Sequence, residues 1–356
     1  MAMPFSNAGG RKKRDHMIAI DLGQRVTKAV QVQRTGQAFT LSGMALMDTP
    51  IFDKALSVQA LAEHLTAVGK ALGAKTRNLT LTVGINDSLV RHVDMPQLPA
   101  TDLRLILKNN SRAYLQQDLG THVFDCVSGS GPASATQAEP AKAPASKHRT
   151  LVAGAKRQLI DDLVAGAKQA GFLADHIVPG ILGPLNAFEL TRPEVFAGEV
   201  VGLVDIGFKS SSICILQQGE LVLNRVVNMG GDRLTAGLAD YLNINYAEAE
   251  GIKLGMPHEV QSALESLVTP LGRELRALID FFEHQQDRSV SQVFLSGGTA
   301  QSDLVVQSLR HELMLECTAW NPTAFLELAL PESQTADLPR AAGQLGVAVG
   351  AALAAL

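Results

Sequence analysis

Two Asp-x-Gly segments, about half a chain apart, constrain the fold of this sequence most strongly. Asp21-Leu22-Gly23 follows the apolar run Met17–Ile20, and Asp205-Ile206-Gly207 follows the apolar run Val200–Val204. Polar residues and a second apolar run come next in both cases, a pattern that predicts a buried strand, a tight turn and a returning strand. One such segment is usually only a hairpin turn. Two copies with matching flanks indicate a duplicated domain whose halves close on one ligand.

The turns after these strands suit phosphate groups. Glycine lets the backbone approach a ligand closely, and consecutive backbone N–H groups in a turn can hold phosphate oxygens. The aspartates that end the strands, Asp21 and Asp205, can hold a hydrated Mg²⁺. A third segment, Val293–Ala300, predicts a strand, a Gly-Gly turn and a helix N-terminus, which leave room for a base or a ribose. Together the three segments indicate a nucleotide site.

In this order the three segments resemble those of the actin-like ATPase superfamily, which includes actin, Hsp70, sugar kinases and FtsA. The chain is similar in more detail to the PilM family, the cytoplasmic actin-like proteins of type IV pilus assembly. Further stretches that carry this resemblance are Thr27–Val30, Val93–Pro96, Met229–Thr235 and Tyr246–Lys253. The resemblance implies an α/β, actin-like (ribonuclease H-like) fold with two duplicated lobes and a small inserted β-α-β-β-α subdomain.

The resemblance also divides the chain into parts. The expected parts are a disordered basic tail (1–16), a first lobe (17–87), an inserted subdomain (88–178) and a second lobe (179–356). Residues 128–147 are rich in Ala, Ser, Gly and Pro, so we expect a flexible loop there. We expect the final helix, 341–356, to pack back on the first lobe.

Composition excludes several classes of protein. A net charge of −4 argues against a general nucleic-acid binder. The three cysteines form no Cys-x-x-Cys metal or redox pattern, which fits a reducing cytoplasm. No run of about twenty apolar residues occurs, so we expect no transmembrane helix. The basic run Arg11–Arg14 is interpreted as a solvated tail, with contact to anionic lipid as the alternative.

The resemblance implies ATP and Mg²⁺ as cofactors and assigns roles to individual residues. Lys28 and Lys209 would neutralise phosphate charge, hydroxyl groups would contact it, and Asp21 and Asp205 would face the Mg²⁺ through water. Glu250 and Lys253 would border the ribose and adenine. The implied nucleotide site comprises Asp21, Gly23, Gln24, Arg25, Thr27, Lys28, Asp205, Gly207, Lys209, Ser210, Ser211, Gly230, Gly231, Asp232, Glu250, Lys253, Gly297, Gly298 and Thr299.

Three residues depart from the superfamily pattern. Small hydroxyl residues usually follow the first Asp-x-Gly, whereas this chain has Gln24 and Arg25; the bulky Phe208 follows the second. Gln24 and Arg25 either contact phosphate, which arginine binds well, or fill the γ-phosphate space. Hydrolysis also needs a positioned water, and no residue is assigned as the catalytic base. We therefore expect weak or absent ATPase activity, and nucleotide binding rather than turnover.

The same resemblance implies a partner. PilM proteins bind the N-terminal cytoplasmic segment of the membrane protein PilN, and through it they reach the inner-membrane platform and, indirectly, the pilus motor ATPases. We expect the groove for this segment near Val90, Val93, Ile106 and Tyr114, where apolar anchors and main-chain hydrogen bonds would hold it. The protein would then be cytoplasmic and peripheral to the inner membrane, with homo-oligomerisation left open.

Other functions remain open from the sequence. A nucleotide-free pseudo-ATPase scaffold of the same machine would follow if Gln24, Arg25 and Phe208 block the site. An FtsA-like cell-division protein would end in an amphipathic membrane helix, which the residues Ala351–Leu356 do not provide. A small-molecule kinase would need a substrate pocket and a catalytic aspartate, and the small insertion argues against it.

Overall fold

The computed structural model describes residues 14–50, 57–128 and 147–356. The predicted basic tail (1–16) and flexible loop (128–147) lie almost entirely outside these residues. The strands are β1 (His16–Leu22), β2 (Val26–Thr35), β3 (Ala38–Asp48), β4 (Asn78–Val83), β5 (Ser88–Pro96), β6 (His122–Ser128), β7 (Lys147–Lys156), β8 (Leu173–Pro179), β9 (Val200–Ile206), β10 (Ser211–Gln217), β11 (Glu220–Val227), β12 (Gln292–Ser296), β13 (Glu316–Ala319) and β14 (Glu327–Leu328).

Eleven α-helices connect these strands in the described part of the chain. They are α1 (Val58–Leu72), α2 (Ala100–Leu115), α3 (Arg157–Gln169), α4 (Gly183–Thr191), α5 (Pro193–Gly198), α6 (Gly231–Leu242), α7 (Tyr246–Gly255), α8 (Gln261–Gln286), α9 (Asp303–Leu313), α10 (Glu332–Ala341) and α11 (Gly346–Leu353). Short 3₁₀ segments lie at 180–182, 257–260, 299–301 and 342–344.

The strands form three sheets. The first lobe contains a six-stranded sheet in the order β14-β3-β2-β1-β4-β8, and the second lobe contains a five-stranded sheet in the order β11-β10-β9-β12-β13. Each Asp-x-Gly motif joins two neighbouring antiparallel strands, β1 with β2 and β9 with β10. Both predicted hairpins are therefore present, each in a central position of its sheet, where the strands are buried on both faces.

Helix α1 shows why the local sequence specifies a helix. The Ser57 hydroxyl accepts a hydrogen bond from the Ala60 N–H, and Gly73 ends the helix in the left-handed conformation at φ 66°. Leu61, Leu65 and Val68 recur at helical spacing and are buried against the first sheet. The sequence of this segment thus carries its own cap, apolar spacing and helix end.

A three-stranded sheet in the order β5-β7-β6, with α2 packed on it, forms the inserted subdomain. The expected extent of 88–178 is wrong at its C-terminal end. β8 pairs with β4 in the first sheet, and α3 packs on α1, so both belong to the first lobe. β8 joins the first sheet because its apolar residues are buried beside β4. This pairing between distant segments is not visible in the local sequence pattern. We place the end of the inserted subdomain at Lys156.

The C-terminal part of the chain returns to the first lobe. β14 pairs with β3, and α11 packs on β1, β2 and β4. The largest buried cluster lies between the two lobes and includes Phe188 of α4, whose ring centroid is 4.8 Å from that of Phe294 and 5.2 Å from that of Trp320. Among the described residues, no helix has the length and apolar character needed to cross a membrane.

The crossing of α4 and α11 depends on two glycines. A Cβ placed on Gly350 would collide with the carbonyl group of Gly183, and a Cβ on Gly183 would lie 2.5 Å from the Val347 carbonyl oxygen. Backbone, unlike a flexible side chain, cannot move aside locally. The two helices therefore approach as closely as they do only because neither position carries a side chain.

We predict that Gly350→Ala lowers the free energy of unfolding by about 1–3 kcal/mol, because the added methyl group overpacks a rigid helix crossing. Urea denaturation measures this change. The matched control is Gly251→Ala in α7, where a Cβ meets open space. There the better helix propensity of alanine should raise stability by up to about 1 kcal/mol. Equal effects of the two substitutions would contradict this description of the crossing.

Candidate functional site

The first hairpin presents Asp21 and Lys28 side by side. They are direct cross-strand partners in the β1–β2 register, and the Lys28 Nζ lies 3.0 Å from an Asp21 carboxylate oxygen. The other Asp21 oxygen accepts a hydrogen bond of 3.0 Å from the Thr82 hydroxyl at the end of β4. The pairing is set by the hairpin register, so it follows from the length of the turn.

The second hairpin presents Asp205 to the same cleft. Its carboxylate accepts a hydrogen bond of 2.9 Å from the Ser296 hydroxyl, because β9 and β12 are parallel and in register at these residues. Burial raises the pKa of Asp205, and the nearby Lys28 ammonium only partly offsets this. Burial would lower the pKa of Lys28, but the charges of Asp21 and Asp205 outweigh it and raise that pKa. The Lys28 ammonium group thus pairs with one carboxylate, that of Asp21, and its charge also acts on a second carboxylate, that of Asp205 in the other lobe.

The turns of the hairpins contain unused hydrogen-bond donors. Within the described chain, no hydrogen bond engages the backbone N–H groups of Gln24, Phe208 and Lys209. Such N–H groups beside a lysine are the donors that a polyphosphate needs. The Lys209 side chain is exposed.

The segment 230–232 lies beside the second turn, but in a different role from the predicted one. Gly230 precedes the first turn of α6, and the N–H groups of Gly231 and Asp232 donate to the carbonyl oxygens of Gly207 and Phe208, at 3.0 and 2.9 Å. These two N–H groups hold the loop, so they do not offer donors to a phosphate. The Asp232 carboxylate accepts a hydrogen bond of 2.7 Å from the Tyr246 hydroxyl.

Glu250 and Lys253 meet on one face of α7. The Lys253 Nζ lies 2.6 Å from a Glu250 carboxylate oxygen and 2.6 Å from the Thr235 hydroxyl, which itself donates to Glu250. Burial opposes the ionised form of Glu250. The hydrogen bonds from Lys253, Thr235 and Arg25 nevertheless lower its pKa overall.

Two predicted hydroxyl groups point away from the cleft. Thr27 is fully buried, and its hydroxyl hydrogen-bonds His64 of α1 at 2.8 Å and Thr49 at 2.9 Å. Ser211 is also buried and donates to the Met229 carbonyl oxygen. The assignment of both as phosphate contacts is not supported, because alternation along a strand turns Thr27 to the face opposite Lys28. Ser210 does lie at the cleft, where the Asn86 amide donates to its hydroxyl at 3.0 Å.

The Gly-Gly turn lies against the turn that follows β9. Gly297 has φ 91°, a left-handed conformation that favours glycine, and a Cβ there would collide with the Ile206 carbonyl. The Thr299 hydroxyl donates to the Gly207 carbonyl oxygen at 3.4 Å, and Gly298 faces Gln344. An open cavity of about 450 Å³ adjoins this turn; Ser296, Gly297, Gln301, Trp320, Asn321 and Gly343 are among its lining residues.

The sequence analysis does not predict several residues that hold the site together. Thr82, Ser296, Asn86 and Thr235 fix Asp21, Asp205, Ser210 and Glu250, respectively. Ser296 stands directly before Gly297, so the strand register could have placed it beside Asp205. Thr82 and Asn86 are brought to the cleft by β4, and no local pattern marks them.

The donor set fits magnesium only with help from a nucleotide. Among the described residues, no group of three or more His, Cys, Asp or Glu side chains could hold a metal ion. Asp21 and Asp205 are two carboxylates, and Mg²⁺ usually binds through one or two carboxylates, waters and substrate phosphates. The residues present therefore fit a nucleotide-borne Mg²⁺, not an independent metal centre.

The predicted partner groove is altered by the structure. Val90 belongs to the buried cluster between the lobes, and Val93 belongs to the core of the inserted subdomain. Neither side chain is available to a partner, so the assignment of these two is wrong. Ile106 and Tyr114 on α2 are half-buried, and Leu105 beside them is 58% exposed. These three apolar side chains of α2 thus keep some exposure.

This chain is similar to known proteins in both sequence and structure. A family model described as type IV pilus assembly protein PilM matches residues 19–356. A solved PilM-PilN type IV pilus biogenesis complex is similar in structure, with a TM-score of 0.80 and 20% identity, over 96% of this chain and 98% of that chain. The ethanolamine utilization protein EutJ of Carboxydothermus hydrogenoformans has a TM-score of 0.56 at 14% identity, over 96% and 90% of the two chains.

Two further proteins are similar to this chain, one in structure and one in part of its sequence. MreB5 of Spiroplasma citri bound to AMPPNP has a TM-score of 0.50 at 11% identity, over 86% of this chain and 92% of that chain. The cell division protein FtsA of Bacillus subtilis (strain 168) is 32% identical over 111 residues, which are 31% of this chain and 24% of FtsA. The structural likenesses confirm the predicted actin-like fold. With the family match covering almost all of its length, the chain belongs to the PilM family of type IV pilus assembly proteins.

Proposed function

We propose that this protein is a cytoplasmic ATP-binding scaffold of type IV pilus assembly that docks the N-terminal cytoplasmic segment of PilN. The observation that supports ATP binding best is the pair of Asp-x-Gly hairpins at one cleft, where Lys28 pairs with Asp21 at 3.0 Å and the charges of Asp21 and Asp205 both raise its pKa. Membership of the PilM family supports the pilus role. The structural likeness to a solved complex of PilM with PilN supports the choice of partner.

The nucleotide would be held by groups from both lobes. The N–H groups of Gln24, Phe208 and Lys209, together with the Lys28 ammonium, would contact phosphate oxygens. Asp21 and Asp205 would hold water molecules of the magnesium ion that accompanies ATP. Glu250 and Lys253 would border the ribose, and the turn Gly297–Thr299 would close the base slot. ATP would not react in this proposal; it would contact both lobes and so link them.

Turnover would be weak or absent. In-line attack on the γ-phosphate needs a group that orients water. Both oxygens of Asp21 already accept hydrogen bonds, from Lys28 and Thr82, and one oxygen of Asp205 accepts from Ser296. In this proposal the two carboxylates face the metal's water, and no residue is assigned to orient the attacking water. We therefore propose that nucleotide acts by occupancy and not by hydrolysis.

The partner would dock on the inserted subdomain. Leu105, Ile106 and Tyr114 on α2 would supply apolar anchors for an extended peptide, and Val90 and Val93 are no longer part of this groove. Bound to PilN, the protein would be peripheral to the inner membrane and would reach the pilus motor ATPases only indirectly. Homo-oligomerisation remains open.

A second candidate is a nucleotide-free scaffold of the same machine. Arg25 and Phe208, which replace small residues of the superfamily, lie in contact at the cleft, with the guanidinium carbon 5.1 Å from the ring centroid. If this pair stays in place, ATP is excluded and the scaffold acts through PilN alone.

We predict that the wild-type protein binds Mg-ATP and that Asp205→Asn weakens this binding at least about tenfold, because the variant loses one of two carboxylates facing the metal. Asparagine keeps the size of the side chain and can still accept from Ser296. Isothermal titration calorimetry measures both affinities. Asp280→Asn on the exposed face of α8 is the matched control and should bind like the wild type. Absence of binding by a folded wild-type protein would favour the nucleotide-free scaffold.

The probe is a synthetic peptide with the sequence of the N-terminal segment of PilN from the same organism. We predict that Leu105→Glu weakens its binding at least about tenfold, because the substitution places a charge in an apolar contact. Fluorescence anisotropy of the labelled peptide measures the affinity. Tyr241→Glu alters another well-exposed apolar side chain, 71% exposed and in the second lobe, and serves as the control. If both variants bind as the wild type does, the α2 surface is not the docking site.

A further inference from the structure

Arg25 contacts the second lobe from the turn of the first hairpin. Its guanidinium lies 3.0 Å from a Glu250 carboxylate oxygen and 5.1 Å from the centroid of the Phe208 ring. Both contacts span the cleft, since Arg25 follows β1 whereas Phe208 and Glu250 belong to the second lobe. An ion pair and a cation–π contact therefore meet on one side chain at the mouth of the cleft.

The turn that carries Arg25 is anchored to its own lobe. The Arg25 carbonyl oxygen accepts from the Thr49 N–H at 2.9 Å, and the Thr49 hydroxyl donates to the Gly23 carbonyl oxygen at 2.6 Å. Thr49 in turn contacts Thr27, which hydrogen-bonds the buried His64 of α1. Because of these hydrogen bonds, a contact made by Arg25 restrains the first lobe as a whole and not only the turn.

Its partner is equally fixed in the second lobe. Glu250 is held by Lys253 and Thr235, and these join α7 to the start of α6. Phe208 is bound through its carbonyl oxygen to the Asp232 N–H. Arg25 thus connects two rigid bodies, and the amide of Asn86 on Ser210 adds a second contact across the cleft.

We propose that Arg25 is a clasp that holds the two lobes closed, and that a nucleotide must displace it from Glu250 to enter the cleft. The first part stands on the contacts alone. The second part rests on the proposed ATP binding, because Glu250 is where the ribose would lie. Arg25, which departs from the superfamily pattern, would then control the entry of nucleotide into the cleft. A small hydroxyl residue at this position would leave the mouth of the cleft open.

The closing role can be tested without any nucleotide. The three native cysteines are buried, so spin labels can be placed at Lys70→Cys on α1 and Tyr241→Cys on α6, both exposed. Double electron–electron resonance then reports the distance between the lobes. We expect Arg25→Ser to shift the distribution to longer distances. Arg112→Ser, which breaks an ion pair within the inserted subdomain, should leave the distribution unchanged.

The gating role is tested by Mg-ATP titration of the same variants. We expect Arg25→Ser to bind Mg-ATP on the order of three- to tenfold more tightly than the wild type, because no clasp has to be broken. Unchanged label distances in Arg25→Ser would overturn the clasp. Weaker ATP binding with unchanged distances would also overturn it and would make Arg25 a phosphate ligand. Longer distances without ATP binding in any variant would keep the closing role but overturn both the gating role and the proposed ATP binding.

Discussion

The arrangement of the cleft depends on the attraction between the Lys28 ammonium group and the aspartate carboxylates. Two carboxylates from different lobes, Asp21 and Asp205, face this one cation. Without it, two like charges would oppose each other in a partly buried site, and at least one would take up a proton. The positions of the three groups follow from strand register: Asp21 opposes Lys28 in the first hairpin, and Asp205 opposes Ser296 in the parallel pair.

The rest of the molecule holds these hairpins in opposition. Helices α4 and α11 cross between the sheets at Gly183 and Gly350, and β14 carries the C-terminal region back onto β3. The inserted subdomain also contacts both lobes. The Asn224 amide donates to the Val90 carbonyl oxygen at 3.1 Å, and Arg149 donates to the Val222 carbonyl oxygen. Burial and the Arg149 charge lower the pKa of His92, at this same contact, to about 4.

The elements that the sequence predicts best are those encoded locally. The two hairpins, the helix at 58–72 and the Gly-Gly turn each carry their own pattern of apolar residues, caps and glycines. The opposite faces of Thr27 and Lys28 could also have been predicted, because they are neighbours on one strand. Assignments made by resemblance alone did not take this alternation into account.

What the sequence does not predict depends on distant partners. β8 leaves the inserted subdomain because β4 offers it a sheet edge, and Val90 is buried because the second lobe covers it. The clasp of Arg25 on Glu250 joins residues 225 positions apart, and no local pattern encodes such a pair. Resemblance marked Arg25 as unusual, whereas only the three-dimensional structure shows what it contacts.

We propose above that the two hairpins together hold one nucleotide in this protein of the PilM family. The most direct measurement is a crystal structure of the full chain with Mg²⁺ and a non-hydrolysable ATP analogue. We expect phosphate density between the turns at 23–25 and 207–210, with the metal facing Asp21 and Asp205. A closed, nucleotide-free cleft at saturating analogue, or a nucleotide bound away from both turns, would contradict it.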